Sequence, residues 1–256
     1  MNKGIVNQSL VAVRRDPSES SEMINQLLFG ESFTIIESYT SWYRIISNHD
    51  SYEGWLDSKL VGIIPDDLIS KHNTSEIANT LFLAKKNNSQ HPIRLCPGST
   101  LSGFENDQFI AGSNTYQCIE NPILDKNENI QEELIRVAKQ FVNSPYLWGG
   151  RSPYGIDCSG LSQVVYKILG IAIPRDAGQQ VKIGETVNFI NMVQPGDLAF
   201  FDNEEEIITH VGIIVDNARI IHSSGYVRID NLDHQGIYNI ESQNYSHKLR
   251  VIKRIL

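Results

Sequence analysis

Cys158 sits between Asp157 and a Ser-Gly pair in the stretch "PYGIDCSGLSQVVYKILG", where an amphipathic segment begins. Two histidines follow twelve residues apart, His210 in "THVGIIVD" and His222 in "RIIHSSG". These residue types suit acyl transfer. A thiolate attacks a carbonyl far better than a thiol, and a helix N-terminus favours the anion through its unsatisfied N–H groups and its dipole. Asp157 fits the N-cap, accepting from the N–H of Ser159 or Gly160. Its own charge raises a neighbouring thiol, so a cationic histidine is expected to hold the thiolate. Base-plus-orienter logic then gives His210 to the Cys158 sulfur and His222 to the tautomer and orientation of His210.

Both rings must lie on one face of a hairpin for this to work. Side chains alternate along a strand, so the two strands must pair with an even sum of residue numbers, for instance 212 opposite 222. That demands an odd-length loop or a bulge near Asp216-Asn217-Ala218. A plain two-residue loop pairing 213 with 222 would break the partnership.

The flanking patterns supply the remaining elements. Asn129-Ile130-Gln131-Glu132 fits an N-x-x-E capping box, and Ile130, Leu134, Val137, Ala138, Phe141 and Val142 recur at helical spacing until Pro145. After the Gly- and Pro-rich "SPYLWGGRSPYGID", a second stripe of Leu161, Val164, Val165, Ile168 and Leu169 stops at Gly170 and Pro174, with Cys158 on its first turn. "PGDLAFF", "ITHVGIIVD", "ARIIHSSG", "YVRID" and "KLRVIKRIL" then read as strands. Helix, helix, antiparallel sheet is an α+β order.

Upstream, "LVAVRR", "SFTIIES", "WYRIIS" and "EGWLD" predict a small barrel over 1–65. Residues 66–126 read as a second small β-rich module, although "SEIANTLFLAKKN" also fits a helix. The third unit is 127–256.

Composition bounds the partners. The 256 residues are 41% hydrophobic, and 22 Lys and Arg against 30 Asp and Glu give a formal net charge of −8, which disfavours nucleic acid and anionic membranes. Three cysteines leave at least one unpaired, for which a reducing compartment is the simpler reading. The start lacks an apolar h-region, so the expectation is a cytoplasmic chain as the sequence stands, periplasmic or secreted if a signal peptide has been removed. Cys96, Cys118, His49, His72, His91, His234 and His247 lack any such context and read as ordinary core or surface residues. No C-x-x-C is present, and a Cys-His-His set crowded by Asp157 is a poor metal site, so neither metal nor cofactor is expected.

Together, "PYLWGGRSPYGIDCSGLSQVVY", "QPGDLAFF", "HVGIIVD" and "IIHSSG" resemble the NlpC/P60 family of cysteine peptidases over roughly 128–256. The resemblance implies a reduced papain-like fold with Cys158, His210 and His222 as nucleophile, base and third residue. It implies hydrolysis of the γ-D-glutamyl to diamino acid bond, with meso-diaminopimelate or L-Lys, in bacterial cell-wall peptides. Tyr146 would line the pocket and help at the oxyanion, beside the Cys158 N–H; Trp148 would pack the loop or touch ligand. The N-terminal half, with "SWYRI" and "EGWL", looks like a bacterial SH3-type module, the companion of this domain in γ-D-glutamyl-L-diamino acid endopeptidases that recycle murein peptides. That subgroup implies a free N-terminal L-Ala, whose ammonium would meet carboxylates and polar groups: Asp157, Asp176, Ser159 and, from the SH3-type half, Glu22. Arg175 would meet the α-carboxylate of the D-Glu. A monomer acting on L-Ala-γ-D-Glu-diamino acid peptides is expected. The alternatives are a wall-binding protein that uses its SH3-type modules, or an amidase or acyltransferase on the same fold.

Overall fold

The computed structural model describes residues 3–123, 125 and 128–256. The boundary expected between 126 and 127 lies outside the described residues. The chain forms two compact units, Met1–Asp125 and Lys126–Leu256.

The first unit holds two sheets. One runs in the order Met23–Leu28, Leu10–Arg14, Glu53–Asp57, Trp42–Ser47, Ser32–Tyr39, Lys3–Val6 and Val61–Ile63. Val6, Val11, Val13, Leu27, Phe33, Ile45 and Leu56 fill it. The other runs Ile93–Leu95, Phe82–Lys86, Asn114–Cys118, Gln108–Ala111, Thr100–Glu105 and Ser75–Ile77. "SEIANTLFLAKKN" is therefore two strands, because Phe82 and Ala84 turn inward while Leu81 and Leu83 do not. The second sheet's core takes in Ile5, Phe29 and Ile64 from the first, and Phe29 packs edge-on against Phe109 and Tyr116. Gly30 makes this junction possible. Its φ is +76°, and a Cβ there would lie 1.8 Å from the Thr100 carbonyl oxygen.

In the second unit the expected helices appear at Ile130–Lys139 and Cys158–Ile168. Asn129 Oδ1 accepts from the N–H of Gln131 and of Glu132. The cysteine helix is buried along its whole length and packs against strands Ile208–Asp216 and Arg219–Ser224, while the first helix packs on the cysteine helix. Strand outweighs helix in this unit, more than an α+β reading anticipates. Leu198–Asp202, Ile208–Asp216, Arg219–Ser224, Tyr226–Leu232, Gly236–Asn239 and Asn244–Arg254 each pair antiparallel with the next, and the last also pairs with the first. Eleven residues let that final strand reach both neighbours and close the sheet around Ala199, Phe201, Ile214, Ile220, Leu232, Ile237 and Ile252. Among the described residues, no helix is long and apolar enough to cross a membrane.

Candidate active site

Asp157 caps the cysteine helix, accepting from the Gly160 N–H at 2.7 Å. The Gly149 N–H donates to its other oxygen at 2.8 Å, which ties the "WGG" loop to the helix start. Gly160 permits this approach, since a Cβ there would stand 2.3 Å from the Gly150 carbonyl oxygen. The loop is also tied to the sheet. Tyr146 N–H donates to the Gly225 carbonyl at 2.9 Å, and Ser223 Oγ donates to the Ile156 carbonyl at 2.7 Å.

The cysteine helix packs on strand Ile208–Asp216, which carries His210, and the backbone N–H groups of Val211 and Ser159 favour the Cys158 thiolate. Burial, then the Asp157 charge, pushes the thiol up to about 12, against those N–H groups and Arg175. The side chain of Tyr146 shares this environment: burial, then the charges of Cys158 and Asp157, raises its phenol to about 12.

The hairpin meets the parity requirement. Gly212 pairs with His222, and the register shifts between Ile214 and Asp216, so Val215 is the extra residue that keeps both histidines on one face. His210 Nε2 and His222 Nδ1 lie 2.9 Å apart, and both rings are buried. Burial, then His247 and His222, holds the His210 imidazolium well below its ordinary value. Both shifts favour a neutral thiol beside a neutral imidazole, whereas the sequence reading anticipates a cationic histidine holding a thiolate. Two uncharged groups avoid the cost of placing an ion pair in a buried site.

Two residues beyond the expected set complete the cluster. Asp230 Oδ2 lies 3.0 Å from His222 Nε2 and supplies the fixed charge that a His-His pair lacks. His247 stacks on His210 with ring centroids 4.1 Å apart and planes 21° from parallel. The three His donor atoms all fall within 4.8 Å of one another. Nearly parallel stacked rings direct their lone pairs side by side rather than to one point, so an ion would require the rings to turn.

The expected substrate contacts divide. Arg175, only 2% exposed, donates to both Asp157 oxygens and to Ser159 Oγ. Asp157, Ser159 and Arg175, which the resemblance assigns to the substrate's ammonium and carboxylate, thus form one buried hydrogen-bonded cluster beside Cys158. Asp176 is exposed at the head of the short helix Ala177–Gln180, and Trp148 is 58% exposed on the loop. Glu22 belongs to the first unit, where it pairs with Arg15 at 2.9 Å.

Comparison with known proteins gives the same picture. The NlpC/P60 family profile matches residues 143–246, and that of the bacterial dipeptidyl-peptidase Sh3 domain matches 13–60. A γ-D-glutamyl-L-lysine dipeptidyl-peptidase of Bacillus subtilis is 30% identical, over 77% of this chain and 71% of its own. Dipeptidyl-peptidase 6 of Lysinibacillus sphaericus is 26% identical over 90% and 92%. The crystal structure of an NlpC/P60 family protein from Bacillus cereus, 21% identical, superposes over 99% of both chains with a TM-score of 0.83 and so shares the fold.

Proposed function

The chain belongs to the NlpC/P60 family, and from that we propose that it is a cysteine peptidase cutting the γ-D-glutamyl to L-diamino acid bond of cell-wall-derived peptides, with L-Lys as the diamino acid. The observation that carries the reading is the arrangement of Cys158 at a capped helix start against the strand of His210, with His222 behind it.

Neutral His210 takes the Cys158 proton as the sulfur attacks the γ-carbonyl, which avoids forming a free buried thiolate first. The Cys158 N–H, at the first turn of the helix, and the Tyr146 phenol are donors for the oxyanion. Collapse of the tetrahedral adduct passes the proton from His210 to the departing amine and leaves a thioester on Cys158. Water, deprotonated by the same ring, hydrolyses it. No step requires a metal or cofactor. A wall-binding scaffold fits less well, because nucleophile, base and orienter are all present and in register.

We attach a free N-terminal L-Ala to this reading, since the relatives are named for releasing dipeptides. The test is parallel incubation with L-Ala-γ-D-Glu-L-Lys and its N-acetylated form, read by mass spectrometry. Cleavage of the free-amine peptide alone is expected; equal cleavage of both would remove the amine requirement. Replacing L-Lys with meso-diaminopimelate in the same assay ranks the diamino acids.

A further inference from the structure

We infer that Asp230 is a positioning residue that acts through His222 to set the tautomers of both histidines, so that His210 turns a bare Nδ1 to the Cys158 thiol. The inference rests on the reading of Cys158 and His210 as nucleophile and base.

Strand pairing brings the residues together. His222 stands opposite Arg228 and Ile220 opposite Asp230, so Asp230 lies on the same face as His222, two pairs along. Its carboxylate is 5% exposed and held in the ionised form by its partners. Arg228 Nη2 donates to Oδ1 at 3.0 Å, and Arg228 Nε lies 2.8 Å from Oδ2. Burial pushes the carboxyl up, but the hydrogen bonds from His222 and Arg228 outweigh it and hold it below its ordinary value. The charged and titratable groups around the relay are Arg228, which also meets Glu241, and His247, which stacks on His210.

An ionised carboxylate can only accept. His222 Nε2, 3.0 Å away, therefore carries a hydrogen, and an imidazole with a single hydrogen there keeps its lone pair on Nδ1. His210 Nε2, 2.9 Å from that lone pair, must in turn donate. Neutral His210 then has one nitrogen without a proton, Nδ1, and that is the atom a general base needs. A single fixed charge thus determines the proton positions on two rings in series, as a carboxylate does for one ring in a Ser-His-Asp triad.

The test is nitrogen-15 NMR of the full chain at neutral pH, reading the imidazole tautomers of His210 and His222 from their long-range couplings. The expected pattern is Nε2–H on both rings. A proton on Nδ1 of His210 in the wild type would overturn the inference without any variant or substrate. D230A should shift His222 toward Nδ1–H and lower kcat for the tripeptide by about 10²-fold with KM unchanged, and D230E should restore most of it. Retention of both tautomers and of kcat in folded D230A would also overturn it. The NMR result does not depend on turnover, so failure of the substrate reading and failure of this inference are separable.

Discussion

Arg175 grips Asp157 with both ends of its guanidinium, Nη1 2.9 Å from Oδ1 and Nη2 2.6 Å from Oδ2, one residue before the nucleophile. The pair is buried and also meets Ser159, Gly149 and Gly160. Removing one partner leaves an uncompensated buried charge, which costs about 3–5 kcal/mol. R175M should therefore lose about that much stability in urea unfolding. The double variant R175M/D157N should recover part of it, because no charge is left alone. A loss below about 1 kcal/mol in R175M would show that water screens the pair.

The two histidines should not be equivalent. H210A removes the base and should reduce kcat by about 10³-fold, whereas H222A leaves a base that is poorly held and should cost less. Single-turnover kinetics on the tripeptide, with unfolding midpoints to check integrity, measures both. Equal and complete losses would contradict the division of roles.

The imidazoles of His210 and His247 make stability fall in acid. Burial, then the charge of His222, lowers His247 to about 4, against about 6.5 for an unfolded histidine. Between those values the unfolded chain binds the proton more readily, so stability is lost as pH falls from about 6.5 to about 4. His210 is lowered too and extends the loss in the same direction. The thermal midpoint should drop across that window, and H247F should flatten the drop by removing one titrating group. An unchanged slope in H247F would place the acid sensitivity elsewhere. Neutral His210 also predicts that peptidase activity persists below pH 6.5.

The junction in the first unit depends on Gly30. Alanine would adopt a left-handed backbone, costing about 1–2 kcal/mol, and would also collide with Thr100. G30A should lower the unfolding midpoint of the first unit while Cys158 chemistry in the second stays intact. Wild-type stability in G30A would show that the backbone relaxes there.

What could be read from the residues was local. Asn129 and Asp157 cap their helices because a cap needs only the next three residues. The bulge at Val215 followed from parity along one hairpin. Asp230 sits one strand further on, and its even separation from His222 is the signal that places it on the same face. His247 lies on the closing strand, whose pairings shift between Phe200 and Phe201 and again between Ile237 and Tyr238, so no count along the chain reaches it. Asp157 and Arg175 are 18 residues apart in the chain, and spacing alone does not show that they pair with each other.

The central claim is that Cys158 attacks a γ-D-glutamyl bond. Purified protein incubated with L-Ala-γ-D-Glu-L-Lys should release L-Ala-D-Glu and L-Lys, while a C158A variant with an unchanged unfolding midpoint should release neither. Turnover by C158A, or no turnover by the wild type, would contradict the account.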